Sequence, residues 1–235
     1  MFSAEFNVAS LLANDLHTRL VTFVNPVSFY GFKAMAGREE FNYVFSDGAL
    51  LTRLHNLFFH QHKIARISFD FSSIAGDVLA YAAQQGLRVV MVGGSQEDTS
   101  AVSLVLAQRF AKLNFAVYPG FFASEDDRDN FIVQMNDYPP DIVVCGMGFP
   151  RQELFLLRCK ALLKQPFVGF TCGGFISQTA LRPDYYPAWV KRFGLRWLQR
   201  AILHSHVRQR LLVDYPAFLV KYLWDVLKKG EKVYQ

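Results

Sequence analysis

Apolar residues along this chain gather in short runs separated by longer stretches of helical spacing. Segments 20–24, 88–92, 115–118, 141–145 and 167–171 are nearly continuous apolar runs, the pattern of strands covered on both faces. Between and around them, segments 8–16, 72–85, 97–113, 124–136 and 152–164 predict helices. Four strand–turn–helix units in succession predict an α/β fold with a doubly wound, mostly parallel sheet.

Beyond position 181 the texture changes. Arg182-Pro-Asp-Tyr-Tyr-Pro187 reads as a turn-rich joint, and segments 189–203 and 207–227 are rich in Arg, Lys and large apolar residues. At helical spacing, Trp189, Val190, Phe193, Trp197, Leu198 and Ile202 share one face, while Arg192, Arg196, Arg200, Arg208 and Arg210 populate another. The reading is a core over 1–181 and a separable, basic, amphipathic C-terminal helical appendage over 182–235. Pro216 is expected to break or kink its last helix.

Charge sharpens that division. The net charge is +5, yet residues 1–181 carry 14 Lys/Arg against 16 Asp/Glu, and residues 182–235 carry 11 against 4. A basic last quarter points to an anionic partner such as phosphate, nucleic acid or an acidic membrane face. No apolar run reaches the roughly 18–20 residues of a membrane helix, and Met1-Phe-Ser-Ala-Glu lacks the basic start of a signal peptide, so a cytoplasmic protein is expected. The 23 phenylalanines suggest apolar surface beyond an ordinary core. Cys145, Cys159 and Cys172 form no CxxC pair and lie in apolar contexts, which predicts reduced, buried thiols. The six histidines include two His-x-His pairs, but neither has a third ligand nearby to make a metal site.

Three successive strands end in glycine-rich turns: Gly93-Gly94, Gly146-Met-Gly148 and Gly173-Gly174. Turns after parallel strands share one edge of the sheet, so these are expected to line one crevice. The middle turn is the most informative. Gly146-Met-Gly-Phe-Pro-Arg-Gln-Glu153 carries an apolar strand into a helix, where glycine permits close backbone approach and a helix start offers N–H donors to an anion. Gln152 and Glu153 add side-chain hydrogen-bonding capacity at its mouth.

These elements belong to a longer series: Asn25-Pro26, Ser46-Asp47-Gly48, Gly93-Gly94, Gly146-x-Gly-x-Pro-x-Gln-Glu153, Gly173-Gly174 and Gly194-Leu-x-Trp-Leu-x-Arg200. In this order, over nearly the whole chain, they resemble the WecG/TagA/CpsF family of bacterial glycosyltransferases. The resemblance implies a Rossmann-like core and an inverting transfer of a hexose from a UDP-sugar to a polyprenyl-diphosphate-linked saccharide, in cell-surface polysaccharide biosynthesis. It implies a peripheral protein on the inner face of the cytoplasmic membrane. Asp47 then corresponds to the family's proposed base, a carboxylate that takes the proton of the attacking hydroxyl. Arg66 suits a phosphate or sugar carboxylate, Asn25 the sugar, and Gln152 the donor sugar or phosphate, with Glu153 orienting its neighbours. Glycine-turn N–H groups and arginines would stabilise departing UDP without an obligatory metal or other cofactor. Arg196, Arg200, Arg208 and Arg210 would divide between the membrane and a diphosphate; a homo-oligomer is compatible with the family.

The chain departs from the family pattern at Phe23 (usually Thr), Val27 (often acidic), Ser68-Phe69-Asp70 (a Gly-Thr-Asp-like stretch), Ser177 (usually Asp) and His204-Ser205 (often Glu-Pro). Loss of polar groups near the donor would alter the hydroxyl pattern accepted. The donor therefore stays open among N-acetylmannosamine-type sugars, glucose, glucuronate and other hexoses. A UDP-sugar- or membrane-binding protein without turnover is the alternative. A dinucleotide oxidoreductase is disfavoured because no Gly-x-Gly-x-x-Gly opens the first unit, and no recognised module supports a nucleic-acid binder.

Overall fold

A computed structural model describes residues 1–3, 5–13, 17–181, 210–230 and 233. The described chain runs α1 (Val8–Leu12), β1 (Arg19–Val24), α2 (Phe29–Ala34), β2 (Tyr43–Ser46), α3 (Ala49–Phe58), α4 (Ala75–Gln85), β3 (Arg88–Gly93), α5 (Gln96–Arg109), β4 (Asn114–Tyr118), α6 (Glu125–Gln134), β5 (Ile142–Gly146), α7 (Arg151–Leu162), β6 (Val168–Thr171), α8 (Phe175–Leu181) and α9 (Tyr215–Lys229). The strands form one sheet in the order β2-β1-β6-β5-β3-β4, and every pairing is parallel. This is the doubly wound α/β arrangement expected of the sequence.

Strand alternation divides the core into two layers. Val21, Phe23, Val89, Met91, Ile142, Val144 and Phe170 face α1, α4, α5 and α8. Leu20, Val24, Val90, Val92, Val143 and Cys145 face α2, α3, α6, α7 and α9. Because both faces are covered, the strands are apolar throughout. Chain direction after the strand reverses between β5, which continues to β6 on one side, and β3, which continues to β4 on the other. Such a reversal opens a crevice at the carboxyl ends of the strands.

The phenylalanines are used inside rather than outside. Phe23 stacks on Phe45, and Phe69 packs against Phe23, Phe170 and Phe175. Among the described residues Phe121 is the phenylalanine that stands exposed. The apolar surface suggested by composition is therefore mostly aromatic core.

Helix α9 starts at Tyr215 with Pro216 in its first turn, where proline's missing N–H costs nothing, and the preceding Arg210–Asp214 is π-helical, so the regular α-helix is interrupted at the proline, as the sequence suggested. Its inner face is anchored to the core. Phe218 and Tyr222 pack edge-on against Phe29 of α2, and the Tyr30 hydroxyl donates to Asp225 at 2.9 Å. The Lys33 ammonium donates to the Val233 carbonyl at 2.6 Å. Removal of everything after residue 195 would take Phe218 and Tyr222 away from Phe29 and leave Phe2 and Tyr30 packed against it. The segment 182–209, with Arg196, Arg200 and Arg208, lies outside the described residues; Arg210 begins the π-helical stretch.

Candidate active site

All site residues drawn from the sequence that fall in the core stand at the carboxyl edge of the sheet or just beyond it, because every strand points the same way. They form two groups, one after β1 and β2 and one after β3, β5 and β6.

The first group centres on Asp47. Strand β2 ends at Ser46, the Asp47 N–H donates to the Val24 carbonyl at 2.8 Å, and α3 begins after Gly48. A Cβ on Gly48 would lie 3.0 Å from Pro26 Cδ and 3.8 Å from Asn25 Cβ, so the Asn25-Pro26 turn and the Asp47-Gly48 turn are packed together. An isolated parallel bridge pairs Ser46 with Arg66. The Arg66 Nη2 donates to Asp47 Oδ1 at 3.0 Å and to the Ser68 hydroxyl at 3.0 Å. Ser68 passes the chain on, donating to Asp70 Oδ2 at 2.8 Å. Both members of the Asp47–Arg66 pair remain about a third exposed, open to a substrate.

Asp70 supports this arrangement. Burial alone would push its carboxyl up, but hydrogen bonds from Ser72 and Ser68 and the charge of Arg66 together hold it below the ordinary aspartate range. Arg66 thus lies between two carboxylates. Ser68 and Asp70 were visible in the sequence only as a departure from the family pattern; their role comes from a turn that folds them back on Arg66.

Asn25 is less available than the sequence suggests. Its Oδ1 accepts from the N–H groups of Val27 and Ser28 at 2.9 and 3.1 Å, closing a turn that leads into α2. The amide nitrogen is the part of the side chain left to face a ligand.

In the second group the glycine turns are not equivalent. A Cβ on Gly93 would lie 2.5 Å from the Gly146 carbonyl oxygen, and one on Gly146 would lie 2.8 Å from Cys172 Sγ and 2.9 Å from the Gly173 carbonyl oxygen. These two glycines let neighbouring strand ends pack together. Gly94 is crowded by Asp98, whose carboxylate accepts from the Ser95 N–H and completes a capping box at the start of α5. The Ser95 and Asp98 N–H groups are used in this box, and Glu97 and Asp98 add negative charge. By contrast, a Cβ on Gly148 or Gly173 would meet nothing within 4 Å, and both residues have left-handed backbones with φ of +74° and +55°. The open part of the edge is the pair of turns after β5 and β6. Exposed Arg151, in the first turn of α7, supplies a cation next to Gly148 that the sequence reading left unassigned. Gly174 follows Gly173 into α8, its side-chain position taken by the end of Gln178.

Gln152 and Glu153 are buried in this second group. The Gly173 N–H donates to Gln152 Oε1 at 3.0 Å, and Gln152 Nε2 donates to Glu153 Oε1 at 3.0 Å. Gln152 is thus a strap between α7 and the β6 turn, and the Gly173 N–H is already engaged. Thr22 donates to the same Glu153 oxygen at 3.0 Å and lies 3.1 Å from the Thr171 hydroxyl. Neither threonine was singled out from the sequence; the signal was two polar residues on buried strand positions of the face that meets α7.

Two of the departures read as pocket changes lie elsewhere. Phe23 is buried among Phe45 and Phe69, on the sheet face opposite α7. Ser177 donates to Asp98 Oδ2 at 2.6 Å and ties α8 to α5. Val27, in the Asn25 turn, is exposed.

The parallel α/β core thus carries an aspartate–arginine pair and two open glycine turns on one edge of its sheet. The sequence comparison places it: the Glycosyl transferase WecG/TagA/CpsF family matches residues 7–232, and the chain belongs to that family. It is 37% identical over 220 residues to the UDP-Gal:alpha-D-GlcNAc-diphosphoundecaprenol beta-1,4-galactosyltransferase of Shigella boydii, covering 93% of this chain and 92% of that one. It is 23% identical over 222 residues to the N-acetylglucosaminyldiphosphoundecaprenol N-acetyl-beta-D-mannosaminyltransferase of Staphylococcus aureus strain NCTC 8325, covering 92% and 84%.

Proposed function

We propose that the protein transfers a hexose, with galactose the first candidate, from a UDP-sugar to an N-acetylglucosaminyl-diphosphate-linked polyprenol, with inversion at the anomeric carbon. The observation that carries this reading is the Asp47–Arg66 pair, about a third exposed, beside the Asn25 turn. In the proposed step an acceptor hydroxyl oxygen attacks the anomeric carbon, Asp47 takes the hydroxyl proton, and the bond from that carbon to the diphosphate oxygen breaks to release UDP. The diphosphate would lie along the edge toward Gly148, Arg151 and Gly173. Arginines supply the positive charge, and transfer is expected to survive a strong chelator. The galactose preference rests on the 37% identity to the Shigella galactosyltransferase.

A panel of UDP-galactose, UDP-glucose, UDP-glucuronate, UDP-N-acetylglucosamine and UDP-N-acetylmannosamine, each offered with a synthetic lipid-diphosphate N-acetylglucosamine, tests the reading. Galactose transfer at least about tenfold above the others is expected, the scale on which one unpaired hydroxyl discriminates. Binding of UDP-sugars without turnover of any would identify a degenerate binder instead.

Helix α9 supports a membrane-facing role. No helix among the described residues is long and apolar enough to cross a membrane. Yet opposite the Phe218–Tyr222 face, α9 exposes Val220, Trp224 and Leu227, and the Lys228 ammonium sits 4.2 Å from the Trp224 ring centre. Exposed apolar and aromatic side chains flanked by lysines suit a headgroup layer. Trp224→Ala together with Leu227→Ala is expected to lower co-sedimentation with anionic vesicles several-fold while leaving thermal stability close to wild type, since both side chains are exposed. Unchanged sedimentation would remove α9 from the membrane contact.

A further inference from the structure

We propose that Glu153 is a positioning residue that works as a neutral carboxylic acid, fixing the orientation of the Gln152 amide and, through it, the Gly173 turn. One group in this network has a direction that is not adjustable. A backbone N–H can only donate, so the Gly173 N–H requires Gln152 to present its carbonyl oxygen. The Gln152 NH2 must then point the other way, to Glu153 Oε1. On the far side the Phe23 N–H donates to the Thr171 hydroxyl at 3.3 Å. Thr171 is then free to donate to Thr22, and Thr22 to Glu153 Oε1. Hydrogen bonds from β1, β6 and α7 therefore all run toward one oxygen. That oxygen accepts two donors, as a carbonyl oxygen can.

The other oxygen, Oε2, is buried and has no hydrogen-bond partner. Glu153 as a whole is 2% exposed. Charge left on an unpartnered, buried carboxylate oxygen is far more costly than an unpaired O–H. No cation faces the carboxyl among the described residues that influence it; the titratable neighbour is the Cys145 thiol on β5, which burial pushes far up and keeps neutral. Burial likewise raises the Glu153 carboxyl above the ordinary glutamate range, and it prevails over the opposing hydrogen bonds from Gln152, from the residue's own backbone N–H and from Thr22. A neutral acid at 153 fulfils two demands: Oε1 gathers the network, and Oε2 carries a proton rather than a bare charge.

The consequence for the proposed reaction is positional. If Oε2 loses its proton, Oε1 still accepts from Gln152, but the charge on Oε2 has no donor in the buried site, so the carboxylate must turn or water must enter, and the Gln152 contact with Gly173 is displaced. The turn after β6, one of the two open ones, then loses its strap. This part rests on the transferase reading; the protonation state itself does not.

Two measurements on the full-length protein separate these. The first is urea unfolding of wild type and Glu153→Gln across pH 4.5 to 8, which needs no activity. A folded-state carboxyl raised above its unfolded value binds a proton that the unfolded chain gives up, so wild-type stability declines as pH rises from the ordinary glutamate value. Glu153→Gln cannot ionise. Its midpoint is expected to gain on wild type steadily as pH rises. A gap that closes or reverses, with wild type gaining on the variant, would show an ionised, stabilised carboxylate and overturn the proposal. The second compares transfer kinetics of Glu153→Gln and Glu153→Leu. Leucine fills the site but accepts no hydrogen bond, so the donor KM is expected to rise roughly tenfold, about the effect of one lost buried hydrogen bond. Glutamine, which can accept at the same point, is expected to restore most of that loss. Equal impairment of both variants in kcat would indicate a charged catalytic role and refute neutral positioning. If no donor is transferred by wild type, the functional reading fails while the unfolding comparison still decides the protonation state.

Discussion

Asp47→Asn is expected to lower transfer by about 10²–10⁴-fold, the range for removing a general base, while UDP affinity changes little. Asparagine keeps the shape and can still accept from Arg66, but it cannot take the acceptor proton. The surroundings make the comparison clean. Arg66 retains its bond to Ser68 and its contact with Asp70 at 3.6 Å, so the guanidinium has a place to stay when the Asp47 charge is removed. The backbone is held independently by the Asp47 N–H to Val24 and by the Ile67 N–H to Ser46. Loss of stability should therefore be small. A loss in kcat with unchanged UDP binding marks an interaction used in the transition state. Turnover near wild type would remove Asp47 from the chemistry.

The largest expected effect on stability is at Gly93. An alanine Cβ there would fall 2.5 Å from the Gly146 carbonyl oxygen and 2.8 Å from its carbon. Both are backbone atoms at the ends of paired strands β3 and β5, so neither can rotate away as a side chain would. Relief requires the two strand ends to part, and Gly120, whose own Cβ would lie 2.8 Å from Gly93 Cα, closes the other side. Gly93→Ala should cost about 3 kcal/mol, the upper part of the overpacking range. Gly173→Ala forms the contrast. Its added Cβ would meet nothing within 4 Å, so only the left-handed backbone opposes it, at roughly 1–2 kcal/mol. Urea midpoints should rank wild type above Gly173→Ala and both above Gly93→Ala. Among folded variants, Gly173→Ala is the one that should weaken UDP binding, because its side chain points into open space.

This contrast shows where the sequence could be read and where it could not. The apolar runs of β1, β3, β4, β5 and β6 were legible because strands covered on both faces have little choice but to be apolar. Strand β2, Tyr43–Ser46, escaped notice. It is four residues long, ends in a polar serine, and stands at the sheet edge beside β1. Helix α2 was missed for a related reason, since Phe29–Ala34 is too short to show a period; the ten residues of α3 are long enough to show one and were passed over beside the Asp47-Gly48 turn. The Asp47 turn could be picked out only by resemblance, since an isolated Asp-Gly is most often just a turn. Its pairing with Arg66, across 19 positions, depends on a single bridge between Ser46 and Arg66 that no local pattern announces.

The glycine turns were found but not ranked. Sequence marks a glycine wherever a side chain is unwelcome, and it does not say whether a ligand or another backbone occupies the space. At Gly93 and Gly146 the occupant is the neighbouring strand; at Gly148 and Gly173 the space is open. The anchoring of α9 was hidden in the same way. Phe218 and Tyr222 look like one apolar stripe among several, and only their contact with Phe29 shows which face turns inward.

The most direct test of the account is the configuration of the product. Wild-type protein would be supplied with UDP-galactose, an α-linked donor, and a lipid-diphosphate N-acetylglucosamine, and the new glycosidic bond would be read by the proton coupling at its anomeric carbon. Single displacement assisted by Asp47 predicts a β-linked product from wild type and almost none from Asp47→Asn. An α-linked product, or β-linked product formed equally well without the Asp47 carboxylate, would contradict it.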